Sequence, residues 1–157
     1  MVTHQPKRGF LALTALLLGL GHSTAGASAC TTAEQDIWSC EYQDKFYTIC
    51  ASNDLGPHSG YMQYRVYQKA TQEFAYPASH QHPRGLFKLK LMPKGAAMSF
   101  SNGAYAYEIY EPLAGNTEIL VSKGRKKLAN LSCREPSNTL TLTSTQNFLA
   151  TIGVYEK

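Results

Sequence analysis

The sequence lacks an apolar run long enough to cross a membrane as a helix. Its longest apolar run, residues 10–20 (FLALTALLLGL), is well short of the roughly 20 residues that a spanning helix needs. Lys7 and Arg8 precede this run, and the small-x-small site Ala27-Ser28-Ala29 follows it. This order is typical of a secretory signal peptide, so we expect cleavage before Cys30 and a mature chain of residues 30–157. A lipid anchor on Cys30 is the alternative.

The chain also lacks a strong excess of charge of either sign. The formal net charge is +4, and Lys7 and Arg8 belong to the predicted signal peptide. A charge this small does not favour DNA or RNA as a partner. One predicted turn does carry a basic cluster, which fits either a site for phosphate or an acidic partner, or a solvated turn that protects a strand edge. The cluster consists of Lys123, Arg125, Lys126 and Lys127.

Patterns for catalysis and metal binding are missing as well. There is no Gly-x-Ser-x-Gly elbow and no Cys-x-x-Cys pair. Glu108 and Glu111 are an odd number of residues apart, which places them on opposite faces of a strand instead of across a cleft. His80 and His82 supply two imidazoles with no acidic residue nearby, and a periplasmic metal-binding protein is therefore only an alternative. We predict a protein that is not an enzyme and has no cofactor.

The four cysteines are Cys30, Cys40, Cys50 and Cys133. All of them follow the predicted cleavage site. An even number of cysteines in an exported chain of this size predicts two disulfide bonds. The spacing alone leaves the pairing open.

Strand signals recur about every ten residues, and patterns of helical period are few. A series of alternating apolar runs between residues 98 and 133 is separated by turn residues, as in an antiparallel meander. These features predict one all-β domain, a small antiparallel β-barrel or sandwich crosslinked by disulfides. The predicted strands before the meander are residues 36–41, 45–51, 60–67, 72–76 and 86–92, and the β-prone tail segments 140–142 and 148–154 are expected to close the sheet.

Three segments of the sequence are similar to a known family. They are Cys40-Glu41-Tyr42 with the following strand, Phe100-Ser101-Asn102-Gly103-Ala104-Tyr105, and Leu128-Ala129-Asn130-Leu131-Ser132-Cys133. Together they resemble the bacterial MliC/PliC family of c-type lysozyme inhibitors. The resemblance implies a small periplasmic or membrane-anchored β-barrel and a disulfide bond between Cys40 and Cys133, and we expect Cys30–Cys50 as the second bond. Residues 50–65 also resemble a segment of small exported bacterial proteins of unassigned function.

The same resemblance implies how a partner is bound. The family blocks lysozyme with a Ser in a Ser-Gly-x-x-Tyr motif and a Lys in the next loop, and here those positions hold Ala96, Ala97 and a loop, residues 111–116, without Lys. We therefore expect other side chains of two loops, residues 94–102 and 111–116, to contact the partner. These side chains are Lys94, Ser99, Ser101, Asn102, Glu111 and Asn116.

The function that these expectations favour is an exported binding protein, a monomer or weak dimer, that occludes a cell-wall hydrolase such as a muramidase. It would act as a lysozyme inhibitor or as an immunity protein against a rival's toxin. An envelope adhesion or assembly protein is the alternative. In that case Tyr61, Tyr67 and Tyr110 would form an exposed aromatic face for a protein partner.

Overall fold

The computed structural model describes residue 1, residues 29–134 and residues 136–156, so residues 2–28 of the predicted signal peptide lie outside the described part of the chain. Within this part of the chain, nine strands are followed by one helix. In chain order they are β1 (Glu34–Tyr42), β2 (Lys45–Ser52), β3 (Met62–Gln68), β4 (Thr71–Tyr76), β5 (Phe87–Met92), β6 (Gly95–Asn102), β7 (Tyr105–Pro112), β8 (Glu118–Lys123), β9 (Lys126–Ser132) and α1 (Thr143–Thr151).

The strands form two antiparallel sheets, in which each strand pairs with its neighbour along the chain. Strands β1 to β4 make the first sheet and β5 to β9 the second. The prediction of an all-β antiparallel fold is confirmed, and of the two forms expected from the sequence the structure has the sandwich. Alternation sets the two faces: on β5, Phe87 and Leu89 are buried between the sheets while Lys88 and Lys90 are exposed.

An aromatic cluster joins the two sheets at one end of the sandwich. Phe100 of β6 lies at the centre of this cluster. Its ring centroid is 5.0 Å from that of Tyr64, 4.7 Å from that of Tyr76 and 4.7 Å from that of Tyr107. Aliphatic side chains fill the rest of the core, and each fully buried one contributes roughly 1.5–3 kcal/mol relative to an exposed one. They include Ile49, Met62, Leu89, Met98, Ile109 and Ile119.

The expectation that the tail closes the sheet as strands is wrong for most of its length, because residues 143–151 form the helix α1. Leu149 and Ile152, three residues apart, are both fully buried, so one helical stripe packs onto the core. This burial outweighs the strand preference of the Thr, Phe and Ile side chains. Beyond the helix the chain does return to a sheet edge: Leu89 N–H donates to the Val154 carbonyl over 2.6 Å, and Glu156 N–H donates to the Leu89 carbonyl over 2.9 Å.

Both expected disulfide bonds are present. Cys40 and Cys133, with Cα atoms 5.6 Å apart, tie β1 of the first sheet to the end of β9 in the second. Cys30 and Cys50, with Cα atoms 5.5 Å apart, fasten the segment before β1 to β2. Disulfides are typical of proteins outside the reducing cytosol.

No helix among the described residues has both the length and the apolar character needed to span a bilayer.

Candidate functional site

The outer face of the five-stranded sheet has a hollow where small side chains meet across neighbouring strands. In the strand register, Lys88 of β5 pairs with Ser99 of β6, and Ser99 pairs with Glu108 of β7. Next to this row, Ser101 pairs with Ala106, which pairs with Ser122 of β8. Because short side chains do not fill the surface between longer ones, the sheet leaves a cavity of about 380 Å³. We call it the serine groove. Its lining residues are Tyr76, Gly85, Leu86, Lys88, Ser99, Phe100, Ser101, Ala106, Tyr107, Glu108, Leu120 and Ser122.

Polar groups of the serine groove remain free to bind a partner. Within the described part of the chain, the hydroxyls of Ser99, Ser101 and Ser122 form no hydrogen bond, and neither does the carboxylate of Glu108. Hydroxyls act as both donors and acceptors, and the Lys88 ammonium adds three donors. The groove therefore presents several donors to carbonyl or hydroxyl groups of a partner, and the Glu108 carboxylate adds an acceptor.

A basic turn lies beside the serine groove. The turn joins β8 to β9 through residues 123–127, directly after Ser122, and all of its residues are exposed. The Lys123 ammonium lies 5.3 Å from the centre of the Tyr105 ring, a cation–π contact that couples this turn to the start of β7. The turn and the groove together form the candidate functional site.

Charge is divided unevenly between the two sheets. Residues 86–132, which hold the five-stranded sheet, contain seven basic and three acidic residues. Residues 34–76, which hold the four-stranded sheet, contain three basic and six acidic residues. The small net charge of the chain therefore conceals a basic sheet and an acidic one, and the basic sheet carries the candidate site.

The structure separates the side chains that the sequence placed in one partner-binding surface. Residues 95–102 are strand β6 and not a protruding loop. Ser99 and Ser101 line the serine groove, and Asn102 begins the adjacent turn to β7. Lys94 and Asn116 are exposed at the other end of the strands, where Leu113 N–H donates to the Lys94 carbonyl over 2.9 Å. At about 3.3 Å per residue along β6, Lys94 and Asn102 are on the order of 25 Å apart.

Glu111, which was expected to contact a partner, is not exposed at the surface. Its side chain is fully buried on the inner face of β7. The carboxylate accepts hydrogen bonds from Leu140 N–H over 3.2 Å, from Thr141 N–H over 2.8 Å and from the Thr141 hydroxyl over 2.6 Å. The polar side chain is able to be buried because the C-terminal segment supplies donors for it. Glu108 points to the outer face, so the expectation that Glu108 and Glu111 lie on opposite faces is confirmed.

The three tyrosines proposed as one exposed face lie on two surfaces. Tyr61 and Tyr67 line an open groove on the outer face of the four-stranded sheet. Tyr110 pairs with the outward-facing Ala97 on the five-stranded sheet, and its hydroxyl donates to the Lys94 carbonyl over 3.3 Å. Because the outer faces of a sandwich point in opposite directions, one flat partner does not contact all three.

The two histidines make separate contacts. The ring of His80 stacks on that of Tyr61 with 3.6 Å between centroids. Both ring nitrogens of His82 are engaged, Nε2 with the Gly56 carbonyl over 2.8 Å and Nδ1 with Arg84 N–H over 3.3 Å. Among the residues that the structure describes, no group of three His, Cys, Asp or Glu side chains is placed to hold a metal ion.

Lys88 and Ser122 are members of the site that the sequence analysis did not select. The alternation along β5 indicated that Lys88 is exposed, but only the register of β5, β6, β7 and β8 places it beside the serines. A scan against protein-family models, a search of curated proteins and a search of solved structures each found no match for the chain.

Proposed function

We propose that this chain is an exported, non-catalytic binding protein that blocks a cell-wall hydrolase by covering its catalytic cleft. The observation that supports this proposal best is the position of the exposed basic turn directly beside the serine groove. A narrow turn is able to enter a cleft, while the groove and its rim bind the surface around the opening.

The chemistry of the target explains why a basic turn suits this role. Glycosidases that cleave cell-wall polysaccharides use a pair of carboxyl groups that flank the scissile bond. An ammonium or guanidinium group brought among these carboxylates gains more Coulomb energy than it would in open water, because the cleft excludes solvent. The turn offers Lys123, Arg125, Lys126 and Lys127, and the hydroxyls of the serine groove add uncharged hydrogen bonds.

The fold holds rigid the turn that would enter the catalytic cleft. Two disulfides and a two-sheet core hold the strands that carry the turn, so little conformational freedom is lost on binding. The basic sheet steers the protein toward hydrolases with an acidic cleft rim. Immunity to a toxin with such a cleft follows the same physical logic as inhibition of a lysozyme.

Muramidase assays with the exported, oxidised protein test this proposal. We expect inhibition of at least one of the c-type, g-type and i-type enzymes. Reversing two charges of the turn (Arg125→Glu with Lys126→Glu) should weaken the inhibition by roughly tenfold or more, because each lost cation also adds a repulsive charge. The matched control is Lys90→Glu with Lys94→Glu, which changes the net charge equally but away from the turn.

Salt gives an independent readout. Raising the ionic strength from about 0.05 M to about 0.3 M should weaken inhibition by the unmodified protein more than inhibition by the reversed-turn variant, since exposed charges are screened. Full lysis by all three enzyme classes at large molar excess of the protein contradicts the proposal. So does an equal loss of inhibition in the turn variant and its control. Recovery of envelope components without a hydrolase in a pull-down would favour an adhesion or assembly role instead.

A further inference from the structure

The outer face of the four-stranded sheet carries a second groove, on the side opposite the serine groove. It is open to solvent and has a volume of about 660 Å³. We call it the aromatic groove. Its lining residues are Thr31, Glu34, Tyr61, Gln63, Arg65, Tyr67, Gln72, Ala78, Ser79 and His80.

The floor of the aromatic groove is a buried ion pair. The Arg65 guanidinium donates to both Glu34 carboxylate oxygens, over 2.9 Å and 2.6 Å, and the two side chains are only 6% and 1% exposed. Thr31 N–H and the Tyr61 hydroxyl donate to the same carboxylate over 2.8 Å and 2.7 Å. Burying two charges is costly, and replacing a buried pair by apolar residues is often neutral or stabilising. Compared with apolar residues of similar volume, this pair therefore adds little to fold stability, although the loss of either charge alone is costly.

Two amide side chains extend the polar floor. Gln63 accepts from the Arg65 Nε–H over 2.7 Å and donates to the Pro77 carbonyl over 2.7 Å, so its orientation is fixed from both ends. Gln72 accepts from the Tyr67 hydroxyl over 3.1 Å and is exposed. Planar polar groups are thus held in place before any ligand arrives, which lowers the entropic cost of binding.

The walls of the aromatic groove are aromatic rings. Tyr61 and His80 stack with 6° between their planes, and Tyr67 lies farther along the same face. Flat rings beside fixed planar polar groups suit a ligand that has apolar C–H faces and many hydroxyls. Such a ligand stacks on the rings and exchanges hydrogen bonds with the floor.

Other ligand classes fit the aromatic groove poorly. A phosphate or nucleic acid requires free cations, whereas Arg65 is neutralised by Glu34 and residues 34–76 carry an excess of acids. A peptide that binds by adding a strand requires an exposed sheet edge, whereas this groove lies on the face of β3, which pairs with β2 and β4 on its two sides.

We propose that the aromatic groove is a binding site for an uncharged saccharide chain. Sugar rings stack on the exposed ring of His80, which itself covers one face of Tyr61, and on Tyr67, and their hydroxyls bind Gln63, Gln72 and the remaining N–H groups of Arg65. The volume of the groove, about 660 Å³, suits an oligosaccharide more than a single sugar. The site is independent of the hydrolase proposal, and because the two outer faces point apart, both surfaces are able to be occupied at once.

Calorimetric titration of the exported protein with three trisaccharides tests the site: chitotriose, cellotriose and maltotriose. Chitotriose carries N-acetyl groups, and cellotriose and maltotriose differ in their glycosidic linkage. Comparing the three therefore shows whether binding depends on the N-acetyl group or on the linkage. We expect saturable binding of at least one. His80→Ala and Tyr67→Ala should each weaken it by roughly tenfold, which equals about 1.4 kcal/mol. The matched control, Tyr110→Ala, removes a partly exposed tyrosine from the opposite face and should leave binding unchanged.

Amide chemical shifts locate the ligand without relying on the variants. We expect the largest shifts at residues 61–67 and 78–80. Absence of saturable binding by all three sugars overturns the proposal, as does an equal loss in the Tyr110→Ala control or a shift pattern centred on the five-stranded sheet. No hydrolase is present in this experiment, so its failure leaves the result of the muramidase assay unaffected, and the reverse also holds.

Discussion

Glu34 and Arg65 show how strongly a single residue depends on its surroundings. Burial by itself raises the pKa of Glu34, but hydrogen bonds from Arg65, Thr31 N–H and Tyr61 outweigh burial and lower the pKa from 4.5 to about 2. The carboxylate consequently stays ionised in the folded protein at pH values where it is protonated in the unfolded chain.

Acid should therefore destabilise the protein through Glu34. The folded-state pKa is the lower one, so the stabilisation is fully present above about pH 4.5 and is lost as the pH falls toward about 2. This single group should reduce the free energy of unfolding by roughly 3 kcal/mol over that window. Urea denaturation at several pH values measures the loss, which should be much smaller in Glu34→Gln. Glu73→Gln, at the surface beside Lys45, serves as the control and should keep the wild-type pH dependence. An identical profile for wild type and Glu34→Gln would show that Glu34 carries none of this effect.

Glu111 is the second residue whose role depends on contacts distant in sequence. It binds two backbone N–H groups and a hydroxyl of residues 140–141, just before the helix. A Gln at this position offers one oxygen in place of two and carries no charge. We expect Glu111→Gln to lower the free energy of unfolding by about 2 kcal/mol, because buried donors lose one of the two acceptor oxygens.

Equilibrium denaturation measures this effect, and hydrogen exchange at residues 140–152 should accelerate. Glu118→Gln, on the outer face of β8, should change stability by less than about 0.5 kcal/mol. Wild-type stability in Glu111→Gln would contradict the structural role assigned to this carboxylate.

At the scale of elements, the contact between β6 and β7 requires a glycine. A Cβ atom on Gly95 would lie 2.3 Å from the Glu111 carbonyl oxygen and 2.9 Å from the Pro112 Cα, and both atoms belong to backbone that is fixed in the sheet. Gly103, in the turn at the other end of these strands, has open space around it and φ +59°. The two glycines are therefore needed for different reasons, close approach at one and backbone conformation at the other.

Substitution by Asn separates these reasons. Gly95→Asn should lower the free energy of unfolding by about 2–3 kcal/mol because the strands must move apart. Gly103→Asn should cost less than about 1 kcal/mol, since Asn tolerates the left-handed conformation. Thermal or urea denaturation measures which variant loses more stability. Equal decreases in the free energy of unfolding would show that close packing is not what requires a glycine at residue 95.

The helix α1 and the chain that follows it also act as an element. Leu149 and Ile152 complete the core, and Val154 and Glu156 bond to Leu89 at the edge of β5. The tail thereby covers an edge strand that would otherwise offer unpaired backbone groups to another molecule. The β-prone sequence of the tail did indicate contact with a sheet, but not the helix that precedes this contact.

At the scale of the whole molecule, the two disulfides differ in the span that they close. Cys40–Cys133 spans 93 residues and links the two sheets, whereas Cys30–Cys50 spans 20 residues and fastens the segment before β1 to β2. Closing a longer loop removes more conformational entropy from the unfolded chain. The long disulfide should thus contribute more to stability, and the short one should mainly hold residues 30–34 over the aromatic groove.

Paired Cys→Ala variants test this division. Removal of Cys40 and Cys133 should lower the free energy of unfolding by about 4–5 kcal/mol, and removal of Cys30 and Cys50 by about 3 kcal/mol, in the chain-entropy model. Denaturation of the two double variants and the oxidised parent gives both values. A larger loss for the shorter loop would contradict the model. The loss of Cys30–Cys50 should also weaken any binding in the aromatic groove, while the serine groove stays unchanged.

The sequence determined the features that depend on local pattern. Alternation and turn residues predicted the strands of both sheets, because period-two burial and glycine turns are properties of short segments. The four cysteines of the predicted exported chain indicated two disulfides, and a family resemblance implied the Cys40–Cys133 pair. Ser99 and Ser101 lie on one surface as a half-exposed and an exposed side chain, and their contact with a partner stays a prediction.

The tertiary structure decided everything that depends on register and on distant contacts. Only cross-strand pairing brings Lys88, Ser99 and Ser122 together, and only the sandwich sends Tyr61 and Tyr110 to opposite sides. Only the returning C-terminal segment buries Glu111. In each case the stabilising free energy comes from burial and hydrogen bonds between residues far apart in the chain. A local sequence pattern does not predict which of these distant residues will be in contact.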